Sequence, residues 1–310
     1  GAKGTCAGTD STQANYAGAA CASGQVCGGG VCAVSCPGSE INCGGTCVDP
    51  TTSNTYCGAT AGCGATGGTA GTNCANAFGA CVASACQPLA TPAPTFLWLD
   101  ATDATTLTLG AGNTVTTWRD KTGLGGRDAI ANPQAPIWTA NVTPNGQPAV
   151  RFNPTQQRLV TPGVTSASEM TIFIVFDMIN PQTWACLFEQ LHDTYFSVRK
   201  SDCCGGGGNL NFHIQNDNAA PLIPITTNTW KIVTALRQGT TSTISYRGGP
   251  SASFTGDTLT GGQTAPLYIG SSTVNESSGA YIAEIRAYSS ALSAAQRSGI
   301  ETVLASKYGL

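Results

Sequence analysis

The chain has 310 residues, 10% of them charged against about 25% in ordinary soluble domains, and a net charge of −3. A charge this small gives no electrostatic support for a nucleic-acid partner. No apolar run approaches the ~20 residues that cross a bilayer, so no membrane span is expected. The length suits one large domain and a smaller one. The chain begins at Gly1 without an initiator Met or an apolar leader, and is expected to be a mature exported form.

Residues 1–87 are the first unit by composition. They hold twelve of the fifteen cysteines, at Cys6, Cys21, Cys27, Cys32, Cys36, Cys43, Cys47, Cys57, Cys63, Cys74, Cys81 and Cys86. Their only charged residues are Lys3, Asp10, Glu40 and Asp49. A segment so poor in large apolar side chains needs cross-links to hold a fold, which predicts a secreted, extracellular or cell-surface protein. Pairs such as Cys32/Cys36 and Cys43/Cys47 have the spacing of metal ligands. Against a metal, the cysteine number is even, no His precedes His192, and Lys3 is the one cation available to stabilise thiolates. Disulfides are therefore expected here and no metal or other cofactor. Twelve cysteines allow too many pairings for the connectivity to be read.

The motif Cys43-Gly-Gly-Thr-Cys47-Val-Asp49, followed by Cys57-Gly58, resembles the stigma-specific-type cysteine-rich repeat over residues 36–86. It departs from that pattern in the Gly/Ala/Thr-rich insert 59–71. The resemblance implies an extracellular module without a defined chemistry.

A Pro-rich linker, 88–95, leads into residues 96–310, where Thr, Val, Ile, Phe and Trp take over. Strand signals recur at 96–99, 149–152, 171–176, 195–198, 210–214, 231–236, 243–246, 266–269 and 281–288. Short β-branched and aromatic runs punctuated by turn residues, without intervening helices, predict an all-β, two-sheet antiparallel jelly-roll sandwich. The run 171–176 is apolar on both faces, as expected of a central strand sealed on both sides. One C-terminal helix is expected over 294–308. Ser293 and Gln296 form a capping box, Ile300, Val303, Leu304 and Tyr308 make one stripe, and Gly309 suits the C′ position.

Four motifs in sequence carry a second resemblance. They are Leu97-Trp-Leu-Asp100-Ala-Thr-Asp103, Trp118-Arg-Asp120-Lys-Thr-Gly123, Asn145-Gly-Gln-Pro-Ala-Val-Arg-Phe152 and Tyr281-Ile-Ala-Glu284-Ile-Arg-Ala-Tyr288. Residues 96–310 resemble the concanavalin-A-like, laminin-G-like domain of bacterial secreted proteins. That superfamily includes glycan binders, adhesion modules, glycoside-cleaving enzymes and structural domains, so the resemblance implies a fold and leaves the function open.

Candidate chemistry is sparse. Glycoside cleavage needs two carboxylates about 5–5.5 Å apart in a retaining enzyme. No strand carries an alternating acidic run, and Glu284 stands alone in its motif, so no catalytic residue and no enzyme activity are expected. The segment Phe188-Glu189-Gln-Leu-His192-Asp193 reads as a hairpin with a solvated turn rather than a metal or acid–base cluster, and His213 as an ordinary strand residue. Domains resembling this one often bind calcium, which makes Asp100, Asp103 and Asp120 candidate ligands. The preferred reading is that Asp100 and Asp103 cap a turn while Asp120 fixes the Trp118 loop through backbone N–H groups. Of the five tryptophans, Trp98 and Trp230 are expected in the core, whereas Trp138 and Trp184 are the candidates for stacking on a glycan.

The three later cysteines are Cys186, Cys203 and Cys204. Cys186 alternates with Trp184 and Phe188, which predicts an inward-facing sulfur. A bridge from Cys186 to one of the adjacent pair is favoured over a strained vicinal bridge. The leading expectation for function is a non-enzymatic structural or adhesive subunit of an extracellular filament or coat, partnered by itself or by neighbouring surface proteins. The alternative is a lectin-like module that binds a glycan and is carried on a disulfide-rich stalk.

Overall fold

The structure is a computed structural model. It describes residues 25–28, 31–33, 36, 38–44, 46–53, 55–65, 67–74, 79–88, 91–191, 195–201, 208–214, 220–256, 261–274 and 276–310. The chain divides into two compact units, Gly1–Ala90 and Thr91–Leu310. No helix among the described residues is long and apolar enough to cross a membrane.

In the first unit, β1 (Val26–Gly28), β2 (Val31–Ala33), β3 (Ile41–Cys43) and β4 (Thr46–Val48) form a sheet in the order β2-β1-β4-β3. A separate hairpin pairs β5 (Gly79–Val82) with β6 (Ala85–Pro88). These strands have three or four residues each, too short to bury much, and sulfur holds them together. Disulfides join Cys36 to Cys47, Cys43 to Cys63, Cys57 to Cys81 and Cys74 to Cys86. Cys57, Cys74 and Cys81 are buried with their sulfurs within 4.8 Å of one another, because two of the bridges lie side by side. Cys6, Cys21, Cys203 and Cys204 lie outside the described residues, as do the side chains of Cys27 and Cys32.

The second unit is a two-sheet antiparallel β-sandwich with one C-terminal helix. Its strands in chain order are β7 (Leu97–Asp100), β8 (Leu107–Leu109), β9 (Val115–Trp118), β10 (Ala129–Ala131), β11 (Ile137–Thr139) and β12 (Ala149–Phe152). Then come β13 (Leu159–Thr165), β14 (Met170–Met178), β15 (Cys186–Gln190), β16 (Phe196–Ser201), β17 (Asn209–Ile214) and β18 (Leu222–Pro224). The last are β19 (Lys231–Gln238), β20 (Thr241–Tyr246), β21 (Ser251–Thr255), β22 (Thr264–Ile269) and β23 (Ala280–Tyr288). One sheet runs β18-β17-β16-β15-β22-β13-β10-β9-β8 and the other β11-β12-β23-β14-β19-β20-β21, with β7 also on β23.

Alternation assigns the faces. On β14, Ile172, Ile174 and Phe176 enter the core between the sheets, where they meet Phe188, Phe196 and Phe212 of the facing sheet. Phe173 and Val175 point the other way and pack under α1 (Ala294–Tyr308) with Ile300, Leu304 and Tyr308. All nine residues of β14 are buried, which is why its sequence shows no polar face. The helix begins with the expected capping box: Ser293 Oγ accepts from Gln296 N at 3.3 Å, and Ser293 N donates to Gln296 Oε1 at 2.9 Å. It ends at Gly309, whose φ of 74° is the left-handed region glycine favours.

Two outcomes test these assignments. Reduction and alkylation should make the first unit protease-sensitive, each bridge being worth about 2–4 kcal/mol, while the sandwich keeps its far-UV β spectrum. Loss of the sandwich signal on reduction would contradict this. Ser293→Ala should lower stability by about 1 kcal/mol in urea unfolding, with an unchanged m-value.

Candidate functional site

The two faces of the sandwich that look away from the core are built differently. Beneath the end of α1, Trp98 and Asp100 alternate outward from Leu97 and Leu99, and sit in register with Arg286 and Glu284. Glu284 is 1% exposed and its carboxylate is fully subscribed. It accepts from Trp98 Nε1 at 2.9 Å, Arg286 Nε at 2.6 Å, Lys307 Nζ at 2.7 Å and the Tyr308 hydroxyl at 2.8 Å. Lys307 Nζ also reaches Asp100 Oδ1 at 2.7 Å, and Lys121 Nζ lies 3.0 Å from Asp100 and 2.8 Å from Asp103.

This corrects the expectation that no two carboxylates share a face. Asp100 and Glu284 are far apart in sequence, but they meet across two antiparallel strands and are held on one ammonium group. Lys121 and Lys307 supply the positive charge against Asp100 and Asp103, and Thr102 and Thr105 fill the remaining carboxylate positions. Asp120 faces elsewhere, accepting from Trp98 N at 2.8 Å and from the Thr122 hydroxyl. These contacts set the pKa values. Burial pushes the Asp100 carboxyl up, but the charge and hydrogen bond of Lys307, together with the hydrogen bonds of Thr102 and Lys121, hold the group below its ordinary value. Asp103, bonded by Lys121 and Thr105, is held down at about 2.

The tryptophans are redistributed relative to expectation. Trp98 is half-buried, with its ring between Lys121 Nζ at 4.6 Å and Arg286 Cζ at 5.1 Å. Trp230 is half-buried and stacks on Tyr281 with centroids 6.0 Å apart. Trp138 is not a free stacking surface. It packs against the main core and its indole N–H donates to Ala101 O at 3.1 Å. Trp184 is half-buried at a φ of 60°, with Arg199 Cζ 5.3 Å from its ring.

Two residues before Trp184 in the chain, Gln182 lines a depression of about 400 Å³ together with Gln134, Pro154, Thr155 and Gln156. Its wall is fixed by backbone bonds: Gln182 Nε2 donates to Pro154 O at 2.8 Å, and Gln156 N to Ser277 Oγ at 3.1 Å. Lys200 Nζ lies 3.4 Å from Gln182 O. The lining amides carry no charge and pair a donor with an acceptor, which is what a sugar hydroxyl requires. None of these glutamines was singled out in the sequence, because they come from three connections that carry no motif.

The hairpin expected here is present, with β15 and β16 paired antiparallel across the connection 191–195. Glu189 and Gln190 lie in β15 and are fully buried; His192 and Asp193 lie outside the described residues. Cys186 is a free, buried thiol, which corrects the expected bridge to Cys203 or Cys204. A bulge between Cys186 and Phe188 breaks the alternation, so Phe188 faces the core while Cys186 pairs with Arg199 on the outer side. There its sulfur donates to Glu189 Oε2 at 3.8 Å. Burial, and then the Glu189 charge, push the thiol well above its ordinary pKa, so it stays protonated and unreactive.

Residues 156–296 match the family model described as the concanavalin A-like lectin/glucanases superfamily. No curated protein matches the chain. Among solved structures, Trypanosoma rangeli sialidase in complex with sialic acid is similar at 14% identity, covering 72% of this chain and 35% of that one, with a TM-score of 0.48. The receptor binding domain of botulinum neurotoxin type G is similar at 12% identity, covering 69% and 51%, with a TM-score of 0.46. Domain 4 of AbnA, an extracellular GH43 arabinanase from Geobacillus stearothermophilus in complex with arabinotriose, is similar at 15% identity, covering 59% and 91%, with a TM-score of 0.42. The chain thus spans about a third of the sialidase, and no functional residue carries over at these levels. The family match overturns two expectations: the filament or coat subunit, and the exclusion of enzymes.

The ion cluster generates two measurable outcomes. Glu284→Ala leaves Arg286 and Lys307 uncompensated and should cost about 3–5 kcal/mol in chemical unfolding. Asp100 and Asp103 have lowered folded pKa values, so their stabilisation is complete above the ordinary value of 3.8 and is lost as pH falls toward about 2. Acid titration followed by tryptophan fluorescence should show this loss in that window, and Lys121→Met should move it to higher pH.

Proposed function

We propose that the chain is a secreted carbohydrate-binding module whose glycan lies in the glutamine-lined depression beside Trp184. The observation that carries this reading is the convergence of uncharged amide and hydroxyl groups from Gln134, Thr155, Gln156 and Gln182 on one opening, with Trp184 two residues along the chain from Gln182. Protein sites for neutral sugars combine planar polar groups that bond hydroxyls with an aromatic face that packs on ring C–H groups. Arg199 braces one side of the Trp184 ring, so the indole is held in place before any ligand arrives. Such preorganisation lowers the entropy that binding must overcome.

The disulfides of the first unit suit an oxidising, extracellular setting. In this reading the cysteine-rich unit is a stapled extracellular module that carries the sandwich and takes no part in recognition.

A glycan array probed with the full chain, followed by calorimetric titration, tests the proposal. Trp184→Ala should weaken the strongest array binder about tenfold, and Gln156→Ala several-fold, while Trp138→Phe should leave affinity unchanged. Absence of binding across the array, or equal affinity for wild type and Trp184→Ala, would defeat it.

A further inference from the structure

The sulfurs of the first unit are arranged so that a second pairing lies within reach of the observed one. The β5–β6 hairpin sets Cys81 directly opposite Cys86 in register. Each is nevertheless bonded elsewhere, Cys81 to Cys57 and Cys86 to Cys74. Facing Cα atoms of antiparallel strands stand about 4.5–5.5 Å apart, which is within the span of a disulfide. Cys57 and Cys74 are also neighbours. A two-way backbone bridge joins Cys57 to Thr72, with N–O distances of 3.1 and 2.8 Å, and Cys74 follows two residues later. The Cys57, Cys74 and Cys81 sulfurs all lie within 4.8 Å of one another. The alternative pairing, Cys57–Cys74 with Cys81–Cys86, therefore needs side-chain rotation and no change of strand register.

We propose that these four cysteines form a thiol-triggered disulfide exchange that unfastens the β5–β6 hairpin from the rest of the first unit. Among the described residues the one free cysteine is Cys186, buried in the second unit, so the trigger comes from outside as a low-molecular-weight thiol such as glutathione. Cys86 is partly exposed, whereas Cys57, Cys74 and Cys81 are buried. The incoming thiolate therefore attacks Cys86 Sγ. The Cys74–Cys86 bond breaks, its electron pair leaves on Cys74 Sγ, and Cys86 is held in a mixed disulfide. The Cys74 thiolate attacks Cys57 Sγ, and the Cys57–Cys81 bond breaks with its electron pair on Cys81 Sγ. Cys81 then attacks Cys86 Sγ across the hairpin and expels the thiolate that began the sequence. Two protein disulfides stand before and after, so nothing is oxidised or reduced and the thiol is returned.

The exchange changes which segments are tied together. In the structure both strands of the hairpin are stapled to the 57–74 segment. Afterwards the hairpin is closed on itself and the 57–74 segment on itself, while Cys36–Cys47 and Cys43–Cys63 are untouched. Among the described residues, no disulfide then joins the hairpin to the chain before it. The hairpin turn keeps its backbone contact, in which Ser84 N donates to Thr51 O at 3.4 Å, the long end for a hydrogen bond. Chain entropy favours the observed form. Its bridges span 24 and 12 residues, against 17 from Cys57 to Cys74 and 5 from Cys81 to Cys86. The longer loops favour it by about sixfold. The described residues of the first unit include no Lys, Arg or His to stabilise a thiolate, so the observed pairing persists until a thiol arrives.

The full chain is incubated with and without a glutathione redox buffer, quenched with acid and N-ethylmaleimide, and mapped with pepsin without reduction. The thiol should convert on the order of a tenth of the chains to a form in which the 81–86 segment carries an internal bridge and a Cys57–Cys74 peptide appears in equal amount. A second readout follows from the topology. Chymotryptic cleavage after Phe78 leaves the two pieces disulfide-linked in the observed form and separates them on a non-reducing gel in the exchanged form. An unchanged map, or one in which thiol yields only alkylated cysteines, would overturn the exchange. An 81–86 bridge found before any thiol is added would overturn the trigger.

Discussion

The buried carboxylate of Glu284 is the constraint from which the arrangement of the sandwich follows. Enclosed without partners, such a charge would cost several kcal/mol. It is tolerated because four donors converge on it from three elements: Trp98 of β7, Arg286 of β23 itself, and Lys307 and Tyr308 of α1. Trp98 can be in place only if β7 is paired to β23 in the observed register, and Lys307 and Tyr308 only if the last turn of the helix is seated on the sheet. Lys307 extends the same requirement to Asp100, and Lys121 extends it from Asp100 to Asp103 and the turn beyond β7. The cluster fixes a geometry that apolar contacts alone would permit to slide.

That commitment divides the domain into a structural side and an available side. Under the helix, every carboxylate oxygen that could hold a cation or take part in proton transfer is already bonded, so the two-carboxylate arrangement of Asp100 and Glu284 is a clamp. On the outer face of the facing sheet the pattern is reversed. There the polar groups are as deeply buried, yet Ser197 and Asn211 each keep an atom unpaired.

Trp184 and Cys186 show how a single irregularity redirects chemistry. Without the bulge in β15, Cys186 would follow Phe188 into the core, where a thiol is an ordinary small apolar group. With it, Cys186 joins Arg199 and Glu189, and the Trp184 ring in the preceding turn lies against the Arg199 guanidinium. The glutamines there are individually unremarkable residues of connecting segments, and they acquire meaning only by facing a common space.

Several features were legible in the chain itself because they depend on local periodicity and composition. The cysteine-rich first unit, the β-sandwich, the doubly buried 171–176 strand and the helix from its capping box to Gly309 all follow from interactions between residues close in sequence, or from the demand that apolar runs be buried. Short strands such as β8, β10, β11 and β18 were not legible, since three residues carry no period and gain their pairing from neighbours already in place. The tertiary structure alone decided the rest. It brought Asp100 beside Glu284, took Trp138 out of contention, freed Cys186 from a bridge and gathered Gln134, Gln156 and Gln182 around one opening. Each of these is a contact between strands or loops remote in sequence, set by register and bulges. A slip of one residue would turn every side chain to the opposite face, and no local pattern records which register the folded sheet adopts.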